Sequence, residues 1–306
     1  MPLQRCYACR AVEIALCAVY KFPEFLGVCA MRFLSLVGGF VAAAVLFGAA
    51  QAAEPVVKLW RLDCGQIHFS DLNFFSDTKA YTGRSMHLVA SCYLIQHNDS
   101  YLIWDTGLPA ADLGAKLDPK AAISDTVSIT IVDQLKQLGL TPDRIADVGI
   151  SHYHNDHTGQ AASFPKARLL IGKGDLDALP SKDDARAKPL APWLKDGGKL
   201  DPVMGDRDIY GDGTVVMIAL PGHTPGHHGL LLRLKKTGPV LLSGDVAHFR
   251  ENYDSNGLPD WNANRADSLA SMERVRALVK NTGALFIIQH DPSDVAKLPT
   301  FPKAAE

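Results

Sequence analysis

The chain has 306 residues, of which 47% are hydrophobic and 21% are charged. These fractions are ordinary for a globular protein and exclude a disordered or fibrous chain. The formal net charge is −2, so there is no basic excess and binding to nucleic acid is not expected.

The first 52 residues are predicted to be a leader that does not belong to the fold. Met31 and Arg32 give a short cationic start, an uncharged apolar stretch follows, and Ala50-Gln51-Ala52 is a small-x-small cleavage signature. This order is typical of a secretory signal peptide over residues 31–52, and residues 1–30 are interpreted as a spurious upstream extension. A membrane anchor is the alternative, because the apolar stretch approaches the roughly 18–20 residues that span a bilayer. We therefore expect cleavage near Ala53 and a single domain over residues 53–306, periplasmic or secreted, without stable membrane insertion.

Cysteine usage divides at the same point of the chain. Four of the six cysteines lie in the leader, and only Cys64 and Cys92 remain after it. Export permits a disulfide between these two, since such bonds persist in oxidising compartments. Two buried thiols on strands are the alternative, and the sequence does not decide between them.

The mature chain alternates apolar runs that predict strands with segments that predict helices. One helix is indicated by apolar residues at helical spacing from Ile131 to Leu138, ending at Gly139, and a late helix by the spacing between Leu269 and Val279. Strands are predicted over residues 56–62, 87–95, 100–104, 147–150, 169–171, 215–220, 229–232, 240–242 and 285–288. The stretch 180–205, rich in Pro, Lys and Asp, is predicted to be a surface excursion. Because strands and helices recur in both halves, an α/β fold with two sheets and helices outside them is favoured.

The most informative segment follows the strand predicted over 147–150. It places His152, His154, Asp156 and His157 within six residues. Imidazole suits Zn²⁺, and a carboxylate can complete such a site. The pattern H-x-H-x-D-H therefore predicts a metal site, and the alternative is a surface cluster of histidines that binds no metal.

Three later apolar runs also end in side chains that bind metals. They lead into His223, Asp245 and His290, and the ring of His223 is bracketed by Pro and Gly residues that favour a turn. Each is a weak signal alone, but their order after H-x-H-x-D-H indicates one shared site. Asp105 ends an earlier strand in the same way, and a simple strand-end turn is the alternative reading there.

These motifs together resemble the metallo-β-lactamase superfamily, and the resemblance covers nearly all of residues 55–295. It implies an αββα sandwich of two mixed β-sheets flanked by helices, with a two-metal site at one edge. Carried over by position, it implies that one metal is bound by His152, His154 and His223, that the other is bound by Asp156, His157 and His290, and that Asp245 bridges them. It also implies two divalent ions, most simply Zn²⁺, and a role for Asp105 in holding the histidine loop through hydrogen bonds.

Within the superfamily the sequence is most similar to the N-acyl homoserine lactonases. The similarity lies in Cys92-Tyr93-Leu94, in the segment 151–159, in Pro221-Gly222-His223-Thr224-Pro225-Gly226-His227 and in Arg250-Glu251-Asn252-Tyr253. It implies a quorum-quenching hydrolase that opens the lactone ring of N-acyl homoserine lactones. Alternatives are another hydrolase of this fold acting on an ester, a thioester, a phosphoester or a β-lactam, and a metal-binding protein without catalytic activity.

The resemblance also suggests catalytic and substrate-binding residues. His248 stands three residues after Asp245, where lactonases of this group often have a tyrosine, and it is expected to donate a hydrogen bond to the reacting carbonyl oxygen. A solvent-facing histidine without a catalytic role is the alternative. Asp156 is expected to pass a proton to the leaving ring oxygen. Phe74, Phe75 and Tyr81 are expected to line the pocket that holds the acyl chain. Trp261 and Tyr253 are weaker candidates for the same pocket. A homodimer is a further expectation from relatives.

Overall fold

A computed structural model describes residues 54–179, 181 and 184–306, and these residues from 54 onward form one compact unit. The extension and signal peptide predicted over residues 1–52 lie outside the described residues. Within the described residues no helix is both long enough and apolar enough to cross a bilayer.

Twelve strands of the described chain form two mixed sheets. The first sheet has the order β4-β1-β2-β3-β5-β6-β7, in which β3, β5, β6 and β7 run parallel and the other pairs are antiparallel. Its strands are β1 Val57–Phe69, β2 Met86–His97, β3 Ser100–Trp104, β4 Ile123–Thr126, β5 Asp147–Ile150, β6 Arg168–Gly172 and β7 Leu200–Val203.

The second sheet has the order β12-β11-β10-β9-β8, with one parallel pair, β11 and β12. Its strands are β8 Arg207–Asp208, β9 Val215–Ala219, β10 His228–Leu234, β11 Gly238–Leu242 and β12 Leu285–Ile287. Loops and short helices connect the strands, and the α-helices are α1 Ile131–Gln137, α2 Asn155–Thr158, α3 Lys173–Ala178, α4 Ala191–Leu194, α5 Arg250–Asp254, α6 Arg265–Thr282 and α7 Pro292–Val295.

The side-chain period of two along the strands builds three apolar layers. Tyr93 and Ile95 of β2 point between the sheets, whereas Leu94 points to the outer face of the first sheet, where it shares a cluster with Leu135 of α1. Met272 of α6 packs in the same way on the outer face of the second sheet. The order helix, sheet, sheet, helix confirms the predicted αββα sandwich.

The ends of the helices follow the sequence signals closely. Thr130 caps α1, where its hydroxyl accepts a hydrogen bond from the backbone N–H of Asp133. Asn264 caps α6 in the same way, and Gly283 ends that helix in the left-handed conformation, with φ 67°. Both helices lie where their apolar spacing predicted them, and Gly139 follows the first one as expected, whereas the caps Thr130, Asn264 and Gly283 are seen only in the structure.

The prediction for the stretch 180–205 was wrong in part. Its described residues contribute β7 to the edge of the first sheet, and they bury Leu190 and Trp193 in the layer beneath α1. The indole N–H of Trp193 donates to the carbonyl of Ala167 at 2.8 Å. Its many polar residues suggested a surface loop because the few apolar positions that anchor it are far apart.

Candidate metal centre

The predicted ligands lie where several strands end at one edge of the sandwich. β3 and β5 are parallel neighbours in the first sheet, and β11 and β12 are parallel neighbours in the second. Parallel neighbours end at the same edge of a sheet, so the residues that follow them lie close together. Asp105, His152, Asp245 and His290 each come shortly after one of these strands.

Asp105 holds the loop that carries the histidine cluster. Its buried carboxylate accepts hydrogen bonds from the backbone N–H of Ser151 at 2.7 Å, from Nδ1 of His157 at 2.9 Å and from Nε2 of Gln289 at 2.8 Å. Asp105 adopts φ 55°, which turns the chain immediately after β3. These contacts leave Nε2 of His157 facing the cluster. The expected supporting role is therefore matched by the geometry, and a strand-end turn is present as well.

The first group of nitrogen atoms comes from three histidines. Nε2 of His152 lies 2.9 Å from Nδ1 of His154, and Nε2 of His223 lies 3.1 Å and 3.0 Å from these two atoms. Ligand atoms of a tetrahedral zinc ion are about 3.3 Å apart when the Zn–N bonds are about 2.0–2.1 Å. The three nitrogens are therefore spaced as ligands of one ion.

The second group adjoins the first through a shared carboxylate. Nε2 of His157 and Nε2 of His290 are 3.1 Å apart, and Oδ2 of Asp156 lies 3.8 Å and 3.5 Å from them. Asp245 faces both groups, because its Oδ1 lies 3.1 Å from each nitrogen of the second group and its Oδ2 lies 3.4 Å from Nε2 of His223. The structure thus brings all seven predicted ligands together in the two predicted groups.

The electrostatics of the cluster fit divalent cations. Burial lowers the pKa of His152 and of His223 well below the ordinary value, so both rings are neutral and offer lone pairs. Burial also opposes charge on His157, but the carboxylates of Asp245, Asp105 and Asp156 outweigh it and raise the pKa of that ring well above its usual range. Oδ1 of Asp245 is buried and accepts no hydrogen bond. The second group therefore favours positive charge, as a metal site requires; metal binding itself stays a prediction.

Three positioning residues were missed by the sequence reasoning. Gln289 accepts hydrogen bonds from the backbone N–H of Gly244 at 2.8 Å and from the indole N–H of Trp104 at 3.3 Å, and so joins the two sheets beside Asp105.

Asp175 of α3 connects the two loops that carry His154 and His223, because it accepts hydrogen bonds from the backbone N–H groups of Tyr153 and Gly226 at 3.1 Å and 2.6 Å. Ser151 also lies beside the cluster, with its hydroxyl 3.1 Å from Nδ1 of His157. Only the position of Gln289, next to His290, signalled such a role.

His227 is outside the two groups. Its Nδ1 donates to the carbonyl of Leu220 at 2.9 Å, and its Nε2 accepts a hydrogen bond from the backbone N–H of Asp245 at 2.7 Å. The ring therefore braces the turn after β9 and fixes the backbone that carries the shared carboxylate.

A cavity of about 260 Å³ opens onto the cluster. Asp156, Asp245 and His290 lie at one end, and the remaining wall is mostly apolar. Part of that wall is formed by Phe69, Phe74, Phe75, Leu88, Leu108 and Trp261. Phe74 and Phe75 therefore lie where the sequence reasoning expected them, and so does Trp261.

The expectation for Tyr81 was wrong. Tyr81 does not line the cavity, because its ring is buried against Phe249, with the centroids 5.3 Å apart. Its backbone N–H donates to the side-chain oxygen of Asn73, which turns the residue inward. Tyr253 is likewise outside the cavity wall and packs on Phe286 under the second sheet. An aromatic residue in a nearby loop is a poor indicator of which side it faces.

His248 points into the cavity beside the cluster. Its ring is buried, its centroid lies 4.4 Å from that of Phe75, and Nε2 lies 3.4 Å from Oδ2 of Asp245. Neither ring nitrogen has a hydrogen-bond partner within the described part of the chain. A buried imidazole without partners at the end of a cavity is free to bond to a bound molecule.

The family profile described as "Metallo-beta-lactamase superfamily" matches residues 87–290, a span that contains all seven clustered ligands. The chain belongs to the metallo-beta-lactamase superfamily. Two solved structures share its fold. An N-acyl homoserine lactone hydrolase with N-hexanoyl-L-homoserine at its catalytic metal centre is 22% identical, with a TM-score of 0.69 over 81% of this chain and 99% of that one. AidC, described as a dizinc quorum-quenching lactonase, is 18% identical, with a TM-score of 0.59 over 81% and 89% of the two chains.

A relative by sequence places the chain more narrowly within the metallo-beta-lactamase superfamily. The N-acyl homoserine lactonase AttM of Rhizobium johnstonii is 31% identical over 240 residues, which cover 73% of this chain and 89% of that protein. The resemblance to the lactonase branch that the motifs indicated is therefore confirmed.

Proposed function

We propose that this protein is a metal-dependent hydrolase that opens the lactone ring of N-acyl homoserine lactones. The observation that carries the proposal is the seven-ligand cluster at one end of an apolar cavity, with the unpartnered ring of His248 beside it. The similarity to the AttM lactonase supports the choice of substrate class. A polar reacting group fits the ligand end of this cavity, and an acyl chain fits its apolar wall.

The described residues suit two divalent ions. His152, His154 and His223 would hold one ion, Asp156, His157 and His290 would hold the other, and Asp245 would contact both. When bound, such ions supply Lewis acidity and make water nucleophilic at neutral pH. Zinc is our proposal for both positions, because imidazole-rich sites suit it and AidC is described as a dizinc enzyme.

The side chains of the cavity account for orientation and charge stabilisation. His248 can donate a hydrogen bond to the carbonyl oxygen of the lactone as negative charge develops there, and its contact with Phe75 keeps the ring in place. Asp156 is one-fifth exposed and lines the cavity, so its carboxylate can carry a proton to the ring oxygen as the ring opens. Phe74, Phe75 and Trp261 provide the apolar surface for the acyl chain.

The direct test compares substrates and a ligand variant. Purified enzyme, with metal content measured by mass spectrometry, is assayed by pH-stat on short- and long-chain acyl homoserine lactones, a simple ester, a β-lactam and a phosphodiester. We expect the lactones to have the highest kcat/KM, and we expect His154→Ala to lose both bound metal and lactone hydrolysis. His87→Ala, at an exposed histidine outside the cluster, is the matched control. Faster turnover of the phosphodiester or the β-lactam, or full activity in metal-free His154→Ala, would contradict the proposal.

A second variant tests the catalytic role of His248. Removing a hydrogen-bond donor to a developing oxyanion typically lowers kcat by about 10²–10³-fold. We expect a loss of that size in His248→Ala with metal content unchanged. A kcat within a few-fold of wild type would remove His248 from the mechanism.

Export and assembly are also part of the proposal. We propose that the leader is cleaved near Ala53, that the protein is periplasmic or secreted, and that it forms a homodimer. A disulfide between Cys64 and Cys92, with Cα atoms 5.9 Å apart, supports export, because such bonds are characteristic of exported proteins. N-terminal sequencing of protein from the periplasm tests the cleavage point, and light scattering tests the proposed homodimer.

A further inference from the structure

Asp125 is the feature of the cavity that the proposed function leaves unexplained. It lies on β4 and lines the cavity, yet it belongs to neither ligand group. Among the described residues that line the cavity, the other ionisable side chains are the metal-site ligands and His248. Asp125 is therefore an isolated carboxylate in the part of the wall that is otherwise apolar.

The strand register shows where this carboxylate lies relative to the cluster. Ile67 of β1 pairs with Leu88 of β2 on one side and with Asp125 of β4 on the other. Directly paired residues point to the same face of a sheet, and all three line the cavity, so they form a row across its floor. The row begins beside the cluster, because Nδ1 of His290 donates to the carbonyl of Val89 at 2.7 Å. Asp125 is two strand spacings of about 4.8 Å from Leu88.

One oxygen of this carboxylate lacks a hydrogen-bond partner among the described residues. Oδ1 of Asp125 is buried without a hydrogen bond, and no described residue forms an ion pair with this side chain. Burial, with the nearby carboxylates of Asp156 and Asp112, raises the pKa of Asp125 to about 6. It is therefore ionised in neutral solution, and keeping the charge there costs stability. The side chain also lines the cavity, and a carboxylate with an unsatisfied oxygen at a cavity wall is suited to a donor on the bound molecule.

We propose that Asp125 accepts a hydrogen bond from a hydroxyl group near the third carbon of the acyl chain, so that the enzyme selects hydroxylated acyl lactones. The inference rests on the proposed lactonase function. With the lactone carbonyl at the cluster, the amide nitrogen is two bonds away, about 2.5 Å, and the third acyl carbon is five bonds away, about 6 Å. The amide therefore stays over Leu88, and the third carbon extends across Ile67 towards Asp125.

The two other kinds of acyl chain do not satisfy this carboxylate. An unsubstituted chain has no donor at that position and leaves Oδ1 buried without a partner. A keto group at the third carbon places an acceptor oxygen against a carboxylate, which is repulsive. A site that bonds a substrate hydroxyl discriminates strongly against analogues that lack it, because its own polar group is then left unpaired.

The experiment measures kcat/KM of metal-loaded enzyme on three lactones of one chain length: N-octanoyl, N-(3-oxooctanoyl) and N-(3-hydroxyoctanoyl) homoserine lactone. We expect wild type to prefer the hydroxylated substrate at least about tenfold, as for a hydrogen bond to a charged group. Asp125→Leu is expected to abolish the preference by lowering kcat/KM for the hydroxylated lactone. Asp125→Asn is expected to reduce the preference. Asp118→Asn, at an exposed carboxylate shortly before β4, is the matched control and should keep the wild-type ratios.

Each result bears on the inference. Equal kcat/KM for the three lactones in wild type, or unchanged ratios in both Asp125 variants, would overturn it while leaving the lactonase function intact. An equal fall for all three substrates would assign Asp125 to the amide N–H and would also overturn it. No opening of any lactone by metal-loaded wild type would refute the proposed function and the inference with it. Thermal unfolding shows whether each variant is folded, and the conservative Asp125→Asn keeps the test available if the leucine variant is not.

Discussion

Replacing Asp105 tests whether the histidine loop depends on one buried carboxylate. The side chain is fully buried and accepts hydrogen bonds from the backbone of Ser151, from the ring of His157 and from the amide of Gln289. Asparagine has the same shape but offers only one acceptor oxygen. In either orientation its NH₂ group faces at least one of the three donors.

The expected cost follows from the number of donors left without a partner. Each buried donor that loses its acceptor costs about 1–3 kcal/mol, so Asp105→Asn should lower the unfolding free energy of the metal-free protein by about that amount. Asp105→Ala leaves all three donors without an acceptor and should lower the unfolding free energy by about 3 kcal/mol or more. The ring of His157 also loses its support, and such losses weaken metal affinity by about 10–100-fold.

The two effects can be measured separately. Urea unfolding of metal-free protein gives the stability, and isothermal titration with Zn²⁺ gives the affinity of each position. Asp143→Asn, which removes one exposed ion pair with Lys166, is the control and should change stability by less than about 1 kcal/mol. Wild-type affinity at both metal positions in Asp105→Asn would refute the argument that this carboxylate orients the ligand.

Three further predictions concern the metal, Asp125 and the disulfide. Dialysis against a chelator should abolish lactone hydrolysis and lower Tm, and Zn²⁺ should restore both; full activity in a sample that contains no metal would contradict this. The raised pKa of Asp125, about 6, means that the native state binds this proton more tightly than the unfolded chain, so wild-type stability falls as pH rises from about 4 to 6. Asp125→Asn removes this pH dependence. In metal-free protein we expect the variant and wild type to have equal unfolding free energies near pH 4, and the variant to be about 1 kcal/mol more stable above pH 7, after allowing for solvent at this half-buried group. The double variant Cys64→Ser, Cys92→Ser opens a loop with a sequence separation of 28 and should lose about 3.5 kcal/mol of unfolding free energy; a loss below about 1 kcal/mol in urea unfolding would contradict the loop-closure argument.

The sequence by itself predicted an α/β fold and the residues of the candidate metal site, and the resemblance to the metallo-β-lactamase superfamily supplied the sandwich architecture and the division of those residues into two groups. Apolar runs that end in His or Asp marked the strand ends, and the H-x-H-x-D-H pattern marked the loop between them. The structure brings together every ligand named from these motifs, including Asp245 and His290, which are far from His152 along the chain. Such residues can be identified from the sequence because metal chemistry restricts the residue types and because the end of an apolar run is a local signal.

Only the tertiary structure decided which side chains form the cavity. Alternation along β4 shows that Ile123 and Asp125 share a face, but the pairing of β4 with β1 decides that this face is the cavity floor. The same holds for Tyr81, which local sequence could not distinguish from Phe75 and which turns into the core. Gln289 acquires its role only because two sheets meet beside it. Membership of a cavity depends on register and on packing between distant segments, and neither is recorded in the local pattern of residues.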